Sequence, residues 1–287
     1  MACGKPQTGY PGVRYRCIPS LRFGTASPPF LSLPRFPSKI LVNSLNHFVN
    51  YKMKNYGNFF TGIIMKINFS LKQFIVPNFA KRISFMLPAV LLMGVFVSIL
   101  VEVGWGTDPA SFMNLNISHV IGLSLGPTEV ITYGIMFIFV LIFGAQMIGF
   151  GTLANMILIG FVVDFCRWLW SNIGLADFIA NGGITIKLIF FVVALLLFVI
   201  VAAIYMNAQM GVAPYDALPA IIGNALPKIP YFIVRQLFDF SAVGIGVLFG
   251  ILFSKDGIQG SVIGSVVMSV LLGPVVQLVA KPLKKIL

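Results

Sequence analysis

GTLANMILIGFVVD, from Gly151 to Asp164, reads again as GSVVMSVLLGPVVQ, from Gly264 to Gln277, with small and apolar positions recurring in step. Ahead of each copy stands a glycine-proline turn carrying an acid or its hydroxyl counterpart, GTDPASF from Gly106 and GVAPYDAL from Gly211, and the same order of elements follows both turns. The chain therefore carries an internal duplication. If each copy holds three spanning helices, an odd number, the second must cross the membrane in the opposite sense to the first. Inverted repeats of this kind are the layout of many secondary transporters, whose site lies between the repeats near the bilayer midplane.

Composition agrees with a chain buried in lipid. Of 287 residues, 58% are hydrophobic and 10% charged, against about 45–50% and 25% in soluble domains. The net charge of +12 is unevenly placed: residues 1 to 82 hold 12 Lys and Arg and no acid, whereas residues 83 to 287 hold 8 basic and 8 acidic side chains. A basic segment ahead of a first span is what the positive-inside rule retains in the cytoplasm, so nucleic acid is not an expected partner. Cys3, Cys17 and Cys166 form no even framework and no CxxC, and His47 and His119 stand far apart. No metal or cofactor is expected, nor a disulfide framework.

Residues 1 to 80 read as a basic, largely disordered extension. Pro28-Pro29 to Pro37 cannot propagate a helix, and no apolar stretch leads to a cleavage site. Met53-Lys54 and Met65-Lys66 each open a more ordinary lead into the first span, so the first fifty or so residues read as lying ahead of the true start. Apolar runs near 83–103, 127–147, 149–170, 186–206, 230–253 and 260–280 are long enough to cross roughly 30 Å of hydrocarbon. They divide into a first membrane repeat over 81–175 and a second over 176–287. The fold expected is an all-α polytopic membrane protein with six transmembrane helices in two inverted three-helix repeats, plus short interfacial or re-entrant helices. Lys and Arg flank the first and last spans, placing both termini in the cytoplasm. Trp105, Trp168, Trp170, Tyr205 and Tyr231 fall near span ends, where an interfacial belt is expected.

The connections 104–126 and 207–229 are long and moderately apolar. Asp108-Pro109 can open a short helix, Asp as N-cap and Pro at the first helical position. Backbone that breaks at membrane depth must be covered by protein or line a wet cavity, so Asp108 and Asp216, each beside a break at Pro109 or Pro214, are the leading candidates for cation or proton binding. Tyr215 shares that turn. Within the spans, Asp164 and Arg167 are three apart, and Arg235 and Asp239 four apart, so each pair can meet on one helical face. Either pair can be a self-neutralising couple, or Asp164 or Asp239 can face a polar cavity. Glu129 suits the first turn of its span, offsetting the helix dipole; alignment of the copies places it opposite Arg235. Gly151, Gly160, Gly264 and Gly273 are expected at close helix contacts.

The GVAPYDAL turn, the GTDP turn and the GTxxNxxxxGxxxD pattern resemble the YczE/YitT-type integral membrane proteins of bacteria, from about residue 81 to the C-terminus. Carried over, the turn falls on Gly211, Pro214, Tyr215 and Asp216, and the pattern on Gly151, Thr152, Asn155, Gly160 and Asp164. The first copy departs by placing its acid at Asp108, with Ser111 where Asp216 aligns, and the second has Gln277 where Asp164 aligns. The resemblance implies a small protein of the bacterial plasma membrane and leaves its activity open. Together these readings predict a small-solute transporter or permease whose intramembrane carboxylates couple to a cation or proton. The alternative is a non-transporting accessory protein. Beyond the lipid bilayer, the partners expected are a small solute or cation and either a second copy or another membrane protein. No nucleophile pair or phosphate loop indicates an enzyme.

Overall fold

The computed structural model describes residues 70–283. Residues 1–69 of the basic extension, the alternative starts at Met53 and Met65, and Lys284 and Lys285 lie outside the described residues; the rest of the extension holds a short 3-10 turn at Leu71–Phe74 and runs into α1. Among those described there are nine α-helices and no strand: α1 (Phe79–Val103), α2 (Pro109–Ile121), α3 (Leu125–Phe143), α4 (Phe150–Asn172), α5 (Leu175–Asn181), α6 (Ile184–Ala208), α7 (Pro214–Ala225), α8 (Tyr231–Leu252) and α9 (Val262–Leu283). Six of them, α1, α3, α4, α6, α8 and α9, are long and apolar enough to span a membrane. Even α3, the shortest at 19 residues, extends about 28 Å at 1.5 Å per residue. Their outer faces carry Ile135, Phe165, Leu188 and Leu196, all exposed, as suits helices solvated by lipid.

The two short helices occupy the connections where breaks are expected. The Asp108 carboxylate accepts the Ser111 amide at 3.1 Å and Pro109 takes the first position of α2. Pro214 likewise opens α7, but Ala213 precedes it and offers no side-chain cap. The seven-residue α5 joins the halves and has no counterpart in the sequence reading.

α1 packs along α6, α1 also meets α4, and α6 meets α9; α3 lies on α4 and α8 on α9. Each short helix rests on a span from the other half, α2 on α8 and α7 on α3. The apolar core between α1 and α6 includes Met86, Val90, Val97, Phe198 and Ala203.

The halves interlock at two backbone crossings. Gly106 has φ 120° and Gly211 φ 106°, a region that L side chains avoid. A Cβ on Gly106 would lie 2.6 Å from the Ser265 nitrogen, and one on Gly211 would lie 2.5 Å from the Gly149 nitrogen and 2.6 Å from Thr152 Oγ1. The partners are glycines for the same reason: a Cβ on Gly264 would overlap the Trp105 carbonyl oxygen, and one on Gly149 that of Met210. The Gly151 amide donates to Met210 O at 2.7 Å and the Val212 amide to Met147 O at 3.0 Å. At the other crossing, the Thr107 amide donates to Ser265 Oγ at 3.2 Å.

Tyr205 belongs to this joint and not to an interfacial belt. It is buried, with its hydroxyl 3.3 Å from Gly151 O and 3.4 Å from Gly211 O, because the crossing leaves carbonyls that need a donor at depth. Trp168 and Tyr231 are exposed, while Trp170 donates to Ser98 Oγ at 2.9 Å. Gly160 admits α3, its would-be Cβ 2.7 Å from Gly126 Cα, whereas Gly273 has nothing within 4 Å. Close contact is thus made at Gly151, Gly160 and Gly264 but not at Gly273, because α9 does not close on a neighbour there.

Gly211→Ala and Gly264→Ala should each lower the melting temperature in detergent sharply, by the equivalent of about 2 kcal/mol or more, since backbone cannot move aside as a side chain can. Gly134→Ala and Gly244→Ala, in the middle of α3 and α8 with no atom within 4 Å of the added carbon, should leave it unchanged.

Candidate functional site

Where α2 and α7 begin, the chain is broken inside the bundle and a cavity of about 580 Å³ opens between the halves. Its walls bring together groups far apart in sequence: Asp108 at the start of α2, Glu129 and Tyr133 on α3, Tyr215 and Asp216 in the first turn of α7, and Arg235 and Asp239 on α8. Asn155, Ser269 and Gln277 add neutral polar groups. A space of this size falls within the roughly 300–1,000 Å³ typical of organic-ligand pockets.

One side of the cavity is electrostatically closed on itself. Arg235 reaches Asp239 Oδ2 through Nε at 3.0 Å, one helical turn along α8, and Asp216 Oδ1 through Nη1 at 2.7 Å. The Tyr215 hydroxyl donates to the other oxygen of Asp239 at 2.8 Å. The guanidinium carbon lies 5.4 Å from the Tyr215 ring centre, a cation–π distance, and Tyr215 stacks on Tyr133 with centres 6.3 Å apart. Burial, then the Asp239 carboxylate, pushes the Tyr215 phenol above its ordinary range, so it remains a donor. Asp216 does not cap α7; its carboxylate holds Arg235 instead.

The other side carries carboxyls that meet no cation among the described residues. Asp108 uses Oδ1 for the Ser111 amide, while its Oδ2 is buried with no hydrogen-bond partner. Burial raises its affinity for a proton above the usual carboxylate value of 3.8, and the repulsion of Asp216 adds to it; hydrogen bonds from Ser111 and Ala110 oppose the rise in part. Glu129 is 3% exposed and lines the same cavity, and among the described residues its carboxylate accepts no hydrogen bond. It does not pair with Arg235, which bonds Asp239 through Nε and Asp216 through Nη1.

Asp164 has another task. Its two oxygens accept the amides of Leu125 and Gly126 at 3.0 and 2.8 Å, so this residue of α4 caps α3, the role sequence reasoning gave to Glu129. It forms no pair with Arg167, which bonds Glu102 at 2.7 Å. The reason is reach: Gly160 and Gly126 bring α3 so close that its free amides outcompete an exposed guanidinium. α3 begins at Leu125, so Glu129 lies past its first turn and lines the cavity instead. Its participation and that of Tyr133 were not among the sequence candidates, although their spacing of four on α3 is a signal that the two share a face.

The profile of the Family of unknown function (DUF6198) matches residues 80–281. The chain belongs to that family. The region matched by DUF6198 reaches all six spans, lacking only the first residue of α1 and the last two of α9, and contains both crossings and every cavity residue named above. No curated protein matches the chain, and no solved structure does.

Two outcomes follow for this DUF6198 protein. Arg235→Gln should cost roughly 3 kcal/mol, the lower end for breaking a buried ion pair because Asp216 is partly open to the cavity, and adding Asp239→Asn should recover part of that loss in thermal melts. For Asp108, a proton is held in the folded state where the unfolded chain has released it. That stabilisation is complete below about pH 3.8 and is lost as pH rises through the higher folded value. Asp108→Asn keeps the N-cap and stays neutral, so its melting temperature should gain on the wild type as pH is raised.

Proposed function

We propose that this multi-pass membrane protein is a small-solute transporter of the bacterial plasma membrane, with cytoplasmic termini, built as two inverted three-helix repeats and coupled to protons or cations through intramembrane carboxylates. The observation that carries the reading is the cavity: it lies between the halves, at the two places where a proline-opened short helix breaks the chain, and Asp108, Asp216 and Asp239 all line it. Transporters of inverted-repeat design hold substrate at broken helices of this kind. The corresponding contacts of the halves, α2 on α8 and α7 on α3, α1 on α4 and α6 on α9, favour the repeat reading; kinship with YczE/YitT-type proteins is proposed on the GVAPYDAL and GTxxNxxxxGxxxD motifs. No catalytic role is proposed. With no ATP-binding motif in the chain, concentrative transport would draw on a gradient or a partner.

A non-transporting accessory protein is the second reading, favoured by Arg235, whose charge is neutralised by Asp216 and Asp239 and lies over the Tyr215 ring. Reconstituted proteoliposomes separate the two. A solute taken up by the wild type and lost in Asp216→Asn supports transport; no uptake across a broad solute library, with the protein folded, supports the accessory role. Gly273→Leu offers a sharper check. It adds volume at the cavity wall where nothing lies within 4 Å, so it should abolish uptake with little change in melting temperature.

A further inference from the structure

We infer that the cavity takes a solute bearing an ammonium group, with Glu129 as its counter-ion and Asp108 beside it. This rests on the reading of the cavity as a solute site and adds the class of solute.

The charge on the walls is unevenly satisfied. Among the described residues Arg235 is the cation lining the cavity, and Asp216 and Asp239 already outnumber its single charge, so a carboxylate or phosphate entering there would add negative charge to a site that is already net negative. Glu129 and Asp108 remain. Glu129 is almost completely buried on a helix facing the cavity, with no hydrogen-bond donor among the described residues, and Asp108 Oδ2 has none either. A carboxylate in such surroundings is costly unless a proton or a cation comes to it. The two acids lie within electrostatic reach of each other, so one positive group serves both.

The remaining walls select what kind of cation. About 580 Å³ is far more room than a dehydrated ion needs, and among the described residues no three His, Cys, Asp or Glu side chains are grouped as metal ligands. Tyr133, Tyr205 and Tyr215 line the same space with Met93, Met147 and Phe198. Aromatic faces and polarisable thioethers suit the alkyl skirt of an organic ammonium ion, which sheds its hydration more readily than a small metal cation. The repeat alignment explains why this side differs: Glu129 stands where the second copy has Arg235, so one half brings its own cation and the other needs one from outside.

The test uses the full chain in lipid nanodiscs near neutral pH. Its probes are ammonium ions graded from methylammonium through choline to 2-phenylethylammonium, each beside an alcohol and a carboxylate of the same skeleton. At least one ammonium ion should raise the melting temperature, as a ligand that binds only the folded state must, while its alcohol and carboxylate do not. Glu129→Gln should weaken that ligand at least tenfold, and Glu129→Asp, which keeps the charge, should retain part of the effect. Glu102→Gln, on the ion pair with Arg167 outside the cavity, should retain all of it. Should Glu129→Gln fail to fold, the Glu129→Asp variant and the neutral analogues carry the decision. No stabilisation by any ammonium ion, equal stabilisation by the alcohols, or an undiminished effect in Glu129→Gln would overturn the inference. Uptake assays keep the two readings apart: ammonium binding without uptake removes transport and leaves this site, whereas uptake of a neutral or anionic solute leaves transport and removes the ammonium class.

Discussion

Two backbone crossings, Gly106 against Gly264 and Gly211 against Gly149, are the constraint from which the rest of the architecture follows. Between helices already surrounded by lipid, little is gained by burying apolar surface, and association depends on how closely backbones approach and on the polar groups they satisfy. At each crossing the chain of one half enters the other with no side chain between them. Such contacts cannot slide or relax in small steps. They bring Pro109 and Pro214 to the middle of the bundle and lay α2 and α7 each on a span of the opposite half, leaving the breaks in the two short connections facing a common space.

That space acquires its chemistry from an imbalance between its two sides. On one side Arg235 sits between Asp216 and Asp239 with Tyr215 completing the set; on the other, Asp108 and Glu129 meet no cation among the described residues. α3 and α4 close tightly through Gly126 and Gly160, whereas the counterpart position on α9, Gly273, meets nothing within 4 Å. The cavity lies where the packing and charge of its two sides diverge.

Much of this was legible in the chain. Span positions followed from apolar length, the start of α2 from Asp108-Pro109, and the Arg235–Asp239 pair from a spacing of four. These are local properties, set within one helix or one turn. What escaped sequence reasoning was contact between distant helices. Asp164 was placed beside Arg167 by spacing, but spacing is silent about the amides of Leu125 and Gly126 that α3 brings nearer. Glu129 follows Gly126-Pro127-Thr128 and reads as a first-turn helix-dipole partner, but α3 begins earlier, at Leu125, which leaves Glu129 past the first turn while Asp164 holds the free amides of that helix end. Tyr205 carries the signature of an interfacial aromatic until the carbonyls of Gly151 and Gly211 are seen to need its hydroxyl.

The sequence by itself determined that the chain is a membrane protein of six spans with two short helices at proline-marked breaks, because hydrocarbon thickness and the missing proline amide act residue by residue. The tertiary structure decided which carboxylates are paired, which cap a helix and which stand alone in the cavity. That choice depends on competition among donors from separate helices. Its outcome is set by distances that exist only once the glycine crossings have closed.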